Sequence, residues 1–153
     1  MIDFEVDKDI LEFIEEQKCA NICCVKPNGT PYCFSCYFAF DNDDMMLFFK
    51  SSSDTNHIPY LLANQNIAGT ILPDKLKNLI VQGIQFEGIF ILDDEVLFKK
   101  ASKKYHSKFP FALMIPGKIW VVQLNTIKMT DSTKGFGTKI NWQRNMELEL
   151  SNQ

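Results

Sequence analysis

The chain has 153 residues, an apolar fraction of 46% that includes 13 Phe, and a formal net charge of −3 at pH 7. A chain of this length buries about 70% of the surface that it exposes when unfolded, so one domain over 1–153 needs no disulfides to be stable. The small negative charge excludes broad electrostatic attraction to nucleic acid or anionic membranes, and no apolar run reaches the roughly 18 residues of a membrane-spanning helix. We expect the tail from about residue 145 to be frayed.

The N-terminal segment predicts a compartment, and the pattern of the cysteines argues against a metal site. MIDFEVDKDILEFIEEQ is acidic and lacks the cationic-then-apolar order of a signal peptide, which predicts a cytoplasmic protein whose five cysteines are reduced. Cys33 and Cys36 have a C-x-x-C spacing, but PYCFSCYFAF alternates like a strand and would direct them to opposite faces. We therefore expect no metal site, and cysteines that pack as small apolar side chains.

The first predicted elements are a helix and a group of strands. The helix extends over 7–17, where Asp7 is its N-cap and Ile10, Phe13 and Ile14 belong to an apolar stripe. Three strands follow, over 19–25, 32–40 and 45–49. Short polar turns separate them, and the middle strand has an apolar residue at every second position. This pattern predicts an antiparallel meander.

The rest of the chain completes the predicted fold. Further strands are expected over 66–72, 78–92 and 118–130, and helices near 58–64 and over about 93–108. Gly83 and Gly88 are expected as bends or bulges, and the lysines between 99 and 104 as a solvated helix face. The absence of regular strand–helix alternation excludes a doubly wound sheet. Strands that are apolar on both faces must be covered on both faces. They predict a mainly β fold of the α+β class, in which a small closed barrel is covered on the outside by helices or a second subunit.

The stretch FKSSSDTNH, over 49–57, joins a strand to a helix and has two interpretations. In the first, Ser53 or Asp54 caps the helix and the polar residues form an ordinary turn. In the second, the hydroxyl groups and the first helical amides bind a phosphate, with His57 as a titratable cation beside it. Asp54 would repel that phosphate unless it turns back to cap the helix. No P-loop is present, and KGFGTK lacks the glycine spacing of a dinucleotide site.

The order of the motifs from about 15 to 144 resembles the FMN-binding split-barrel superfamily, which includes pyridoxamine 5′-phosphate oxidase and general flavin reductases. In that family, three strands lead into a Ser/Thr-rich segment and a helix with the pattern L-x-x-N-x-x-[VI]-A. With one spacing altered, this pattern is matched by Leu62, Asn66, Ile67 and Ala68. GIQFEGIF is similar to the next strand of the family, and IKMTDSTKGFGTKINW resembles the C-terminal segment of a small bacterial branch.

The resemblance implies a six-stranded antiparallel split β-barrel that forms a homodimer, with one FMN at each end of the interface. The strand positions near the flavin are Ser35, Cys36 and Phe49. The phosphate-binding segment is Ser51, Ser52, Thr55, Asn56 and His57. Gly83 and Gln85 match strand residues that reach a cofactor across the subunit boundary, and Trp142 and Arg144 match C-terminal residues that contact flavin or substrate.

The chain also departs from the oxidase. The Arg-Lys pair of that enzyme is replaced by Asn56 and His57, and its C-terminal arginine pattern is not matched. Both departures argue against vitamin B6 oxidation and predict a flavin held mostly by hydroxyls and amides. We expect an FMN-binding oxidoreductase for a small organic substrate or a nicotinamide. The alternatives are a non-catalytic flavin- or haem-binding dimer and a cofactor-free interaction protein.

Overall fold

Seven strands form one antiparallel sheet in the structure, a computed structural model that describes residues 5–145. They are β1 Cys19–Val25, β2 Pro31–Asp41, β3 Met46–Ser51, β4 Asn66–Ile71, β5 Gln82–Ile91, β6 Lys118–Asp131 and β7 Lys139–Gln143. Their order is β3-β2-β1-β4-β5-β6-β7, and β3 also pairs with β6. This pairing closes six strands into a barrel, to which β7 is added, so the predicted α+β split barrel is confirmed. The tail predicted to fray lies, beyond residue 145, outside the described residues.

Three α-helices flank the sheet within residues 5–145. They are α1 Lys8–Glu16, α2 His57–Ala63 and α3 Glu95–Lys108, and two 3-10 helices cover Pro110–Met114 and Ser132–Lys134. Asp7 and Asp94 are the N-caps of α1 and α3, where their carboxylates accept backbone amides at 2.8 and 2.9 Å. None of these helices is long and apolar enough to cross a membrane.

A helix capped by residue 53 or 54 would begin directly after that residue. The helix begins later in the structure, so the predicted N-cap is wrong. α2 begins at His57, and the preceding Asn56 makes no side-chain cap hydrogen bond. The physical reason is a turn in which the amide and the hydroxyl of Thr55 both donate to the Ser52 carbonyl, at 3.2 and 2.7 Å. Residues 53–54 are the central positions of this turn and not the start of the helix.

Apolar side chains fill both faces of β2 and β3, as their sequences predict. Phe38 and Phe49 are fully buried in the barrel interior. Ala39 and Phe48, at alternate positions of the same strands, are buried instead beside Tyr105 of α3. Burying a Phe side chain contributes roughly 1.5–3 kcal/mol, so both layers stabilise the fold. α3 is therefore the second cover that these two-sided strands require.

The second half of the sheet differs in detail from the prediction. The strand expected over 78–92 begins only at Gln82, because Leu79 has a φ of 66° and interrupts the extended backbone. The β5–β6 ladder shifts register at Gly88, which confirms the bulge there, but not at Gly83. β7 has no counterpart among the predicted elements.

Two lysines of α3 bind a buried carboxylate, so the predicted solvated face is wrong for them. The Asp41 side chain is 0% exposed, and Lys100 Nζ lies 2.6 Å from its Oδ2. Lys104 Nζ lies 3.5 Å from Oδ1 of the same carboxylate. Lys99, by contrast, pairs with Glu95 at the exposed surface of the helix. Because a buried charge needs a partner, Lys100 and Lys104 anchor α3 to the end of β2.

Cys23 and Cys33 form a disulfide, so the expectation that all five cysteines are reduced is wrong for this pair. They are opposite residues of the β1–β2 ladder, with Cα atoms 4.1 Å apart. Cys19, Cys24 and Cys36 are free thiols. Cys36 is on the other face of β2 from Cys33, so the C-x-x-C spacing does not bring these two sulfurs together.

Candidate functional site

A cleft opens where β2 and β3 part. The two strands pair only over Phe38–Asp41 of β2. Beyond this point β2 continues to Pro31 beside β1, while β3 continues to Ser51 beside β6. The gap holds a cleft of about 320 Å³. Small-molecule sites have volumes of about 300–1,000 Å³, so the split end of the barrel is a candidate ligand site.

Three groups of residues line this cleft. One wall is β2 over 34–37, and the other is β3 and the loop after it over 49–52, with the ring of His57 beside it. The third group comes from α3, the 3-10 helix after it and the two residues that follow that helix. It consists of Tyr105, Phe111, Ala112, Ile115 and Pro116. The cleft therefore combines aromatic and aliphatic walls with a cluster of hydroxyls at the end of β3.

The structure gathers part of the predicted set in this cleft. The predicted residues that line it are Ser35, Cys36, Phe49, Ser51, Ser52 and His57. Thr55 lies next to it, because its hydroxyl contacts both Ser51 Oγ and His57 Nε2 at 3.2 Å. Asn56 is exposed, and its Nδ2 lies 3.5 Å from Tyr32 Oη. Asp54, the residue expected to repel an anion, is exposed and does not line the cleft.

His57 is held in place by stacking and by hydroxyl groups. Its ring lies parallel to that of Phe34, with centroids 3.7 Å apart, and its Nε2 lies 2.8 Å from Ser51 Oγ. The Thr55 hydroxyl donates to the Ser52 carbonyl, so it can only accept from His57. This favours the tautomer with a proton on Nε2. Burial lowers the pKa of His57, so the ring is neutral near pH 7 without a ligand, and the predicted cation would form only beside a bound anion.

Lys50 is a residue of this cleft that the sequence analysis missed. Its ammonium donates to the Ala112 carbonyl at 2.7 Å and lies 3.1 Å from His106 Nε2. His106 Nδ1 lies 2.8 Å from the Ser102 carbonyl, which can only accept, so Nδ1 carries the proton and Nε2 accepts from Lys50. The sequence indicates this residue only by its position directly before Ser51. Its two partners lie 56 and 62 residues further along the chain, so no local pattern connects them to it.

The thiol and the phenol of the cleft are not reactive at neutral pH. Burial raises the pKa of Cys36 to about 12, and burial with nearby thiols raises the pKa of Tyr105 to about 12. A nucleophilic cysteine requires a thiolate, which this environment disfavours. Among the described residues that line the cleft, His57 is the side chain whose pKa is lowered by burial.

The remaining predicted residues lie outside this cleft. Gln85 and Trp142 line a second depression, of about 650 Å³, formed by β4 to β7. Trp142 Nε1 is buried there without a hydrogen-bond partner among the described residues. Gly83 is the second residue of β5 and lies close to Leu72. The Arg144 guanidinium donates to three backbone carbonyls at 2.6–3.1 Å, near the turn between β2 and β3.

Solved structures with this fold include proteins that bind FAD or haem. A haem-binding protein from Mycobacterium smegmatis superimposes with a TM-score of 0.74 at 10% identity, over 86% of this chain and 55% of that one. An FAD-binding protein from Mesorhizobium loti superimposes with a TM-score of 0.67 at 15% identity, over 83% of this chain and 95% of that one. HutZ, a haem storage protein from Vibrio cholerae, superimposes with a TM-score of 0.60 at 16% identity, over 78% of this chain and 89% of that one. Fold and cleft therefore define a split-barrel protein.

Curated relatives then place the chain in a family. It is 32% identical over 143 residues to a UPF0306 protein from Serratia proteamaculans, covering 92% of this chain and 96% of that one. A UPF0306 protein from Photorhabdus laumondii is 35% identical over 121 residues, 79% and 85% of the two chains. No protein-family model matches the chain. The chain belongs to the UPF0306 family.

Proposed function

We propose that the chain is an FMN-binding flavoprotein of the superfamily that includes pyridoxamine 5′-phosphate oxidase. It acts as an oxidoreductase on a small organic substrate or a nicotinamide, and not on vitamin B6. The observation that carries the proposal is the cleft between the parted strands, which joins apolar walls to a cluster of hydroxyls at Ser51, Ser52 and Thr55. A flavin nucleotide has the same division into a planar ring and a phosphate.

The edge of β2 fits the ring system. Over 34–37 this strand has no partner on the side of β3, so its backbone groups on that edge face the cleft. A flat heterocycle with donors and acceptors on its rim can hydrogen-bond to such an edge, as an added strand does. Phe34 supplies aromatic surface beside it and packs against the buried Phe49. A bound flavin supplies the redox chemistry, and the residues of the chain hold and orient it.

The hydroxyl cluster fits the phosphate. Ser51 and Ser52 are neutral donors, and the Nε2–H of His57 points at Ser51 and at Thr55, whose own hydroxyl donates to the Ser52 carbonyl. A phosphate that displaces these internal contacts receives the same donors, each strengthened by its charge. Our proposal therefore places the phosphate at the end of β3 and the ring along β2.

We propose that the active form is a homodimer. Gln85 and Trp142 lie in a depression of their own, so they reach a flavin in the cleft only from a second subunit. Tyr37, Phe111 and Ile115 are 50–56% exposed near the mouth of the cleft, an apolar surface that a second subunit would cover.

The direct test is a titration of the purified protein with FMN. We expect a dissociation constant of roughly 1 μM and an absorbance band near 450 nm, which is carried by the flavin. Loss of one charge-assisted hydrogen bond in His57→Ala or Ser52→Ala weakens binding about tenfold or more. Ser53→Ala, in the same loop but outside the cleft, is the matched control and leaves binding unchanged. Unchanged binding in both cleft variants would overturn this placement of the phosphate.

The same preparation separates the functional alternatives. Bleaching of the bound flavin by NADH or NADPH identifies an oxidoreductase, whereas a flavin that is bound but not reduced identifies a non-catalytic carrier. Titration with haemin tests the haem alternative. In that case His57 must give up its contacts with Ser51 and Thr55 to ligate iron through Nε2. Failure to bind either group leaves the cofactor-free interaction protein.

FMN binding is expected to strengthen as the pH falls from about 8 to about 6.5. Burial lowers the pKa of His57 in the free protein, and a phosphate dianion raises it in the complex, so binding takes up a proton. Affinity then rises by up to about tenfold per pH unit between the two pKa values. Cys36 and Tyr105 remain protonated over this range. In His57→Gln the pH dependence disappears, and its persistence there would contradict the assignment.

A further inference from the structure

Lys50 places an uncompensated positive charge in the cleft. Its side chain is half-buried, and no ion pair joins it to a carboxylate anywhere in residues 5–145. The residues that line the cleft include no Asp or Glu, and Lys50 is the lysine among them. A partly desolvated cation without a counterion is unfavourable, so the site is electrostatically prepared for an anion.

Two fixed acceptors orient this ammonium group. The Ala112 carbonyl and His106 Nε2 take two of its three N–H donors, at 2.7 and 3.1 Å. His106 is in turn fixed by its Nδ1 contact with the Ser102 carbonyl at 2.8 Å. Both acceptors are neutral, so they hold the lysine without cancelling its charge. The third N–H donor has no partner among the described residues and remains for a ligand.

The position of Lys50 determines which part of a ligand it meets. It directly precedes Ser51 on β3, and both line the cleft together with Ser52 and His57. Their side chains turn to opposite faces of the strand, Lys50 toward His106 and Ser51 toward His57, so a ligand in the cleft has the cation on one side and the hydroxyls on the other. A phosphate bound by the hydroxyls is the ligand group whose charge Lys50 neutralises.

We propose that Lys50 is the specificity residue that makes this cleft select a phosphorylated flavin over its unphosphorylated form, and that His106 is its positioning residue. The inference rests on the proposed flavin site. It adds to that site a fixed cation that the sequence comparison with the oxidase did not reveal, because the Arg-Lys pair of the oxidase is replaced by Asn56 and His57. The cation comes instead from β3 and is held by α3 and the 3-10 helix after it.

The test compares the affinities of FMN and riboflavin for the same proteins. Both share the ring, and only FMN carries the phosphate. In the wild-type protein we expect FMN to bind more tightly, with an affinity that weakens as salt is added. In Lys50→Met, FMN affinity falls about 10- to 100-fold, while riboflavin affinity changes by less than about threefold. The salt dependence of FMN binding falls in the same variant.

Two further variants separate charge from position. Lys103→Met removes the same charge from an exposed position of α3 outside the cleft, and it should leave the FMN-to-riboflavin ratio unchanged. His106→Leu removes the acceptor for Lys50 and should lower the ratio several-fold, whereas His106→Gln keeps an acceptor there and preserves it. A structural role of His106 would instead lower the affinities of FMN and riboflavin together.

Inorganic phosphate provides a readout without flavin. Phosphate should raise the midpoint of thermal unfolding of the wild-type protein and have a clearly smaller effect on Lys50→Met. An equal phosphate effect in both, or an unchanged FMN-to-riboflavin ratio in Lys50→Met, would overturn the role of Lys50 while leaving flavin binding intact. If the wild-type protein binds neither flavin, the proposed function itself fails.

Discussion

Replacing Gly88 by alanine is expected to destabilise the protein by about 3 kcal/mol or more. Gly88 lies at the β5–β6 bulge, and a Cβ atom there would overlap the carbonyl oxygen of Gln123 on β6. The obstacle is backbone and not the end of a flexible side chain, so the strands must separate to accept it. β6 is also the strand that closes the barrel through β3, so this separation weakens the closure.

Gly83→Ala is the matched control on the same strand. A Cβ atom at Gly83 would lie 3.2 Å from Leu72 Cδ2, the end of a flexible side chain, and 3.5 Å from the Ile71 carbonyl oxygen. We expect a change within about 1 kcal/mol. Urea denaturation of the two variants measures the difference, provided that the m-values agree. Equal destabilisation of the two proteins would show that the bulge does not need a glycine.

Lys100→Met is expected to destabilise the protein by about 3 kcal/mol, because it leaves the buried Asp41 carboxylate without its closest partner. The value is at the low end for a stranded buried charge, since Lys104 remains 3.5 Å from the same carboxylate. Lys99→Met removes a lysine from the exposed pair with Glu95 and should change stability by less than about 0.5 kcal/mol. Denaturant titration at neutral pH compares the two variants.

The pH dependence of stability tests the same contact. Burial raises the pKa of Asp41, but the hydrogen bond and charge of Lys100 and the charge of Lys104 outweigh it, so the pKa is lowered on balance. A carboxyl with a lowered pKa in the folded state stabilises the protein above its unfolded pKa, about 4, and loses this contribution as the pH falls further. Asp41→Asn should therefore be less stable at neutral pH and show a shallower loss in acid. A parallel pH profile for the two proteins would contradict the ion pair.

Local composition predicted one side of the candidate site, and the family resemblance added Ser35 and Cys36 from β2 on the other side. The stretch 49–57 contains the end of β3, the hydroxyls and His57, and local composition was enough to single it out. The wall formed by β2 and the lining residues from α3 and the segment after it could not be predicted from local composition. Tyr105, Phe111 and Ala112 come from α3 and the segment after it, and nothing in their local pattern links them to β3. Even Lys50, inside the quoted stretch, gains its role from partners that lie more than 50 residues away.

The sequence by itself determined the elements whose causes are local. Alternating apolar residues set β2, aspartates at N-cap positions set α1 and α3, and apolar side chains on both strand faces required a second cover. Only the tertiary structure decided the closure of β3 on β6, the parting of β2 from β3 that opens the cleft, and the pairing of Asp41 with Lys100 across 59 residues. The periodicity of apolar residues indicates the face of a helix or strand on which a residue lies. The neighbour that it meets there depends on how distant segments pack, and no local pattern encodes that.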